Sequence, residues 1–93
     1  MAQNPYTATT FWSADARYTA GADVDILLSN ASGQHTLLWI ITTTDTVPTS
    51  PVASGNPIKP DSSRAMQLLS GERLWLATRS NEVPANVEGA ASA

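Results

Sequence analysis

His35 is the only histidine in the chain, and cysteine is absent. A zinc centre draws on several Cys or His ligands. A Ser–His centre needs a nucleophile held in a strained elbow, and no G-x-S-x-G is present. His35 opens a strand directly after a turn, the setting of a surface or edge histidine. The carboxylates Asp15, Asp23, Asp25, Asp45, Asp61, Glu72, Glu82 and Glu88 are dispersed. Asp23 and Asp25 share a strand face and could help hold a cation, but a calcium loop needs a denser set of oxygens. Hydrolysis by paired carboxylates needs an enclosing cleft. Gly21, Gly33, Gly55, Gly71 and Gly89 form no phosphate-cradling loop. These residue types assemble neither a nucleophile–base pair nor a metal set, so the expectation is a protein that is not an enzyme and uses no cofactor or metal. Asn30-Ala31-Ser32 fits a glycosylation acceptor pattern and reads here as a turn.

The aromatic residues carry a different chemistry, that of adhesion. Trp39 and Trp75 lie on the two segments densest in large apolar side chains, 35–42 and 73–78, where core or interface is the natural assignment. Trp75 is out of phase with Leu74 and Leu76, so one of those sets faces away from the core. An outward tryptophan anchors protein–protein contacts. Trp12 stands with Tyr6 and Phe11 in an N-terminal stretch of Thr and Ala. That stretch reads as an extended arm that docks its aromatics on a neighbour, with an ordinary first strand as the competing reading. An exposed tryptophan can also stack on a sugar, which leaves carbohydrate binding open.

Size and charge narrow the partners. The chain has 93 residues, one domain, and a formal net charge of −3. A domain of this size buries only roughly 60–65% of its unfolded surface, and no disulfide supports it. The five basic residues, Arg17, Lys59, Arg64, Arg73 and Arg79, are scattered. Tracking a phosphate backbone needs clustered cations, so nucleic acid is not expected as a partner. No apolar run reaches the roughly 18–20 residues of a membrane helix, so no membrane is expected either. The first residues have neither the basic nor the apolar region of a signal peptide, which predicts a protein kept in the cytosol unless it leaves inside a particle.

The elements that must position these residues are strands. In 23–29, Val24, Ile26 and Leu28 alternate with Asp23, Asp25 and Ser29. Residues 30–33 read as a hairpin turn into a return strand over 35–42. In that strand Leu37, Trp39 and Ile41 take one face and Leu38 and Ile40 the other. A strand apolar on both faces is covered on both sides; in so small a domain the second cover is expected from a neighbouring subunit, with a thin sandwich that covers both faces by itself as the competing reading. Residues 43–62, with Pro48, Pro51, Pro57 and Pro60, read as a loop of a length that meets partners. Strands are expected at about 64–69 and 73–78, joined by a tight turn at 70–72, with a weak last strand at 85–91. The sum is an all-β chain, a small β-sandwich or β-barrel of about six short strands, with an arm over 1–22 and a β domain over 23–93.

Four stretches also resemble a known pattern: 25–34 (DILLSNASGQ), 37–49 (LLWIITTTDTVPT), 55–60 (GNPIKP) and 68–78 (LLSGERLWLAT). They place a strand ending in an Asn turn, a strand with a central aromatic, a Thr/Pro loop, a Gly-x-Pro-aliphatic-x-Pro segment and a Gly-acid turn into a Leu-aromatic strand. This order resembles small bacteriophage virion β-modules, the head-decoration (cement) and head- or tail-fibre proteins, over about residues 23–80. The resemblance implies a structural part that is commonly trimeric and sits at three-fold or quasi-three-fold axes of a capsid or at the base of a fibre.

The expectation is therefore a virion structural protein, assembled in the host cytoplasm, that decorates a capsid by binding the major capsid protein. Contacts are expected from Tyr6, Phe11 and Trp12 of the arm, Pro48 and Pro51 of the loop, and Trp75. A tail or fibre adaptor that recognises a receptor is the alternative.

Overall fold

A computed structural model describes residues 2–91 of the chain. Residue 1 of the expected arm and residues 92–93 of the expected β domain lie outside the described residues. The strands are β1 (Ala2–Ala8), β2 (Arg17–Thr19), β3 (Val24–Asn30), β4 (Leu37–Thr42), β5 (Asn56–Ile58), β6 (Ser63–Leu68), β7 (Arg73–Thr78) and β8 (Val83–Ala91). Two single 3-10 turns, Ala14–Ala16 and Val52–Ser54, interrupt the connections. The strands form two antiparallel four-stranded sheets, ordered β1-β8-β3-β6 and β2-β7-β4-β5. This all-β sandwich has the connectivity of a jelly roll, in which two Greek keys wind together. Only the β4–β5 link joins consecutive strands of one sheet; every other link crosses between sheets.

The inner faces follow the alternation in the sequence. Val24, Ile26 and Leu28 point into the core, and Asp25 is exposed. Leu37, Trp39 and Ile41 of β4 pack in the same core as Leu74 and Leu76 of β7 and Val83 and Val87 of β8. Tyr6 and Tyr18 pack against this core from β1 and β2. Burial, and then the neighbouring Tyr18, push the Tyr6 hydroxyl above the usual phenol range, against the opposing pull of Arg17. Across the sandwich, the Arg64 guanidinium lies 5.5 Å from the centre of the Trp39 ring.

Several expected features differ: eight strands form among the described residues where about six were expected, and β5 with the Val52–Ser54 turn lies inside the stretch expected as the 43–62 loop. The stretch before residue 23 contributes two strands to the sandwich instead of an arm: β1 pairs with β8 along its length, and β2 pairs with β7. The competing reading, a first strand over Tyr6–Trp12, holds only in part: β1 spans Ala2–Ala8 and ends before Phe11 and Trp12. The two expected hairpins are corners between sheets. β3 pairs with β6 and β8, whereas β4 pairs with β5 and β7. The 70–72 turn, with Gly71 at φ 89°, closes on itself through Glu72 N–H to Leu69 O at 3.0 Å and also bonds to another corner. Gly71 N–H donates to Ala20 O, and Ala20 N–H donates to Glu72 O, both at 2.9 Å. The connection therefore runs from one sheet to the other.

Candidate functional site

The sequence leaves one apolar set pointing away from the main core, and the structure shows what covers it. On the outer face of the β2-β7-β4-β5 sheet stand Leu38 and Ile40 of β4 and Trp75 and Ala77 of β7. Leu38, Trp75 and Ala77 are wholly buried. Their cover is the chain itself. Trp12, after β1, lies on this face and is 6% exposed. Its indole N–H donates to Ser50 O at 3.0 Å, and Val52 packs beside the cluster. The ring sits so close to the backbone at Gly55 that a Cβ there would lie 2.9 Å from Trp12 Cη2 and 3.2 Å from Leu38 Cβ. Only glycine leaves the room that the indole fills. This second small core removes the expected need for a neighbouring subunit as the second cover.

The rest of the cover is polar. Arg17 of β2 lays its guanidinium over Trp75, 5.3 Å from the ring centre. The Trp75 indole N–H donates to Thr42 Oγ1 at 2.8 Å. Asp45, at the start of the long loop, joins Arg17 at 3.3 Å and Arg73 at 2.9 Å. Arg73 also donates to Thr43 O at 3.0 Å and to Gly71 O. The hydrogen bond from Arg73, together with the positive charges of Arg73 and Arg17, holds the exposed Asp45 carboxyl below its ordinary range. Two arginines on different strands thus pin the beginning of the loop, and Trp12 pins its later part at Ser50.

The six residues expected to meet partners are dispersed by these arrangements. Trp12 and Trp75 come together, but inside the covered cluster. Tyr6 is half-buried against the main core. Phe11, next to Trp12, is 73% exposed. Pro51 is exposed, and Pro48 is partly buried. Pro48 lines an open groove of about 530 Å³ with Ile40, Ile41, Val47 and Ser50, between β4 and the loop. Ser50 belongs to this groove, and its carbonyl also accepts from the Trp12 indole. Sequence reasoning did not single out Val47, 49% exposed, or Leu69, 54% exposed. A lone aliphatic in a Thr/Pro loop and the second of two adjacent leucines carry no periodic signal.

At the end of the sandwich where β3 meets β4, Asn30 is buried and fully used. Its side-chain amide nitrogen donates to His35 O at 2.8 Å, Ile58 O at 3.1 Å and Lys59 O at 3.2 Å. Its Oδ1 accepts from Ser32 N–H at 2.9 Å. The glycosylation-like triplet is therefore a structural turn, as its sequence suggested, with the asparagine turned inward. Beside it, residues 34–36 and 78–81 line a polar cleft of about 220 Å³. Among the described residues no group of three or more His, Asp or Glu side chains stands ready to hold a metal. No helix among them is long and apolar enough to cross a membrane. Compared with known proteins, the chain matches no family model, no curated protein and no solved structure.

Proposed function

We propose that this chain is a bacteriophage virion structural protein, a capsid decoration protein that binds and stabilises the lattice of the major capsid protein. The observation that carries this reading is the strand order β1-β8-β3-β6 over β2-β7-β4-β5. That jelly-roll order is a recurrent architecture of viral capsid domains, shared with lectins and cupins. Because a fold alone does not assign a function, the residue-level support is the surface around Phe11. Its ring is large, apolar and exposed on a segment that Trp12 fixes in place. Val47 and Pro51 are exposed apolar groups on the loop that Trp12 also holds, and exposed apolar side chains on a fixed support can anchor an interface. Stacking of a sugar on Trp12 or Trp75 is disfavoured, since both rings are covered. In this reading the protein is not a catalyst, and its trimeric grouping is a property of the decorated shell.

The test separates docking from folding. Deleting residues 2–8 would remove an entire sheet edge, so the informative variant is Phe11→Ser. The native protein is expected to co-sediment saturably with assembled shells of the phage that encodes it. Phe11→Ser is expected to keep the native unfolding midpoint, because its ring is solvent-facing, and to bind about tenfold or more weakly, corresponding to loss of roughly 1.5–3 kcal/mol of aromatic burial. Equal binding by a folded Phe11→Ser protein would remove this surface from the account.

A further inference from the structure

The polar cleft at the end of the sandwich carries an inference that does not depend on capsid binding. It lies between the β3–β4 and β7–β8 connections and is lined by Gln34, His35, Thr36, Arg79, Ser80 and Asn81, with Thr78 at its base. Both walls are held from behind through their backbones. Ser32 Oγ accepts the N–H groups of Gln34 and His35, each at 3.1 Å, and Asn30 grips His35 O. On the other wall, Thr78 Oγ1 donates to Asn81 O, and Thr78 N–H donates to Thr9 O at 2.8 Å. The scaffolding is therefore done by main-chain groups and by Asn30, Ser32 and Thr78.

Apart from Thr78 at the base, the only engaged side chains facing the cleft, among the described residues, are Asn81 and Ser80, which bond each other: Asn81 Nδ2 donates to Ser80 Oγ at 3.3 Å. Among the described residues, the side chains of Gln34, His35, Thr36 and Arg79 make no hydrogen bond or ion pair. Arg79 is the cleft's one permanent cation, and no carboxylate lines it, although the whole chain is acidic. Asp61, whose Oδ2 would lie 3.4 Å from a Cβ on the neighbouring Gly33, is outside the lining. A fixed pocket with one guanidinium fork, an imidazole, two amides and two hydroxyls suits one oxyanion together with neutral hydroxyl groups. A planar carboxylate matches the guanidinium in two parallel hydrogen bonds, and a single cation balances a monoanion. The amides and hydroxyls each donate and accept, as a polyol requires. The volume is below the roughly 300–1,000 Å³ of pockets for drug-sized ligands, so the occupant is a single small unit.

We infer that this cleft binds a carboxylate-bearing polyol of monosaccharide size, a sugar acid, with Arg79 on the carboxylate and Gln34, Thr36 and Asn81 on the hydroxyls. The test is ¹H–¹⁵N NMR titration of the full chain with glucuronate, glucose, acetate and inorganic sulfate. Glucuronate is expected to shift the amides of residues 34–36 and 78–81 saturably, more tightly than acetate or sulfate, and glucose is expected to leave them in place. Arg79→Ala, at an exposed position, is expected to keep the native unfolding midpoint and weaken glucuronate about tenfold or more. Absence of shifts with glucuronate, or undiminished binding by folded Arg79→Ala, would overturn the site. Equal affinity for acetate or sulfate would overturn the polyol assignment, and equal affinity for glucose would overturn the role of the carboxylate.

Discussion

Asn30 is the residue on which most backbone groups converge. Three carbonyls from the β3–β4 corner and the end of β5 share its two amide hydrogens, and its oxygen takes the Ser32 N–H. Removing a partner from buried polar groups costs about 1–3 kcal/mol. Asn30→Ala is therefore expected to lower the free energy of urea unfolding by about 2–3 kcal/mol. Asn30→Asp keeps the shape but turns an acceptor toward three carbonyl oxygens, so it is expected to cost at least as much at neutral pH. An Asn30→Asp protein as stable as the native one would show that these bonds are not the ones that matter. At this scale the sequence was partly legible. Asn before a small residue and Ser signalled a turn, but two of the three carbonyls it bonds come from the end of β5, distant in sequence. Glycine at 55 shows the same limit: its need for space is set by Trp12, which nothing near residue 55 announces.

The long connection between β4 and β5 is largely exposed, yet it is tied at both ends. Asp45 is held by Arg17 and Arg73, and Ser50 O by the Trp12 indole. The Asp45 carboxyl is held below its ordinary value of 3.8 in the fold. Its contribution is therefore fully present above that value and is lost as the pH falls through the lower folded one. Backbone ¹⁵N order parameters in residues 43–47 are expected to be unchanged from neutral pH to mild acid and to fall in stronger acid. Asp45→Asn is expected to show the lower order parameters already at neutral pH, while those of β7 stay high. A loop equally ordered in Asp45→Asn would show that the charge pair does not hold it. The phases of the strands were readable from the sequence, down to Trp75 opposing Leu74 and Leu76. Which connections turn within a sheet and which cross between sheets was not, because alternation is the same in both cases. Bonds such as Gly71 N–H to Ala20 O decide it. The strand character of residues 2–8 was weak for a related reason: Tyr6 is its one large apolar side chain among Ala, Gln, Asn, Pro and Thr, and its pairing partner is the far end of the chain.

At the scale of the whole molecule, the described chain has a radius of gyration of 12.1 Å, against about 12 Å expected for a compact domain of this length. The excess apolar strand surface is hidden under Trp12, Arg17 and Val52 of the same chain. The isolated protein is accordingly expected to sediment as a monomer at micromolar concentration, with most indole emission resistant to acrylamide. A trimer in dilute solution, or full quenching of the tryptophans, would show that this face is not closed within one chain. Association with a shell then rests on the jelly-roll order and on the exposed Phe11 surface. The most direct measurement is a cryo-EM reconstruction of purified phage particles. The account predicts density for this sandwich, of about 37 × 27 × 18 Å, repeated over the outer capsid lattice with Phe11 against the major capsid protein. Particles that lack the chain, or that carry it only on the tail, would contradict it.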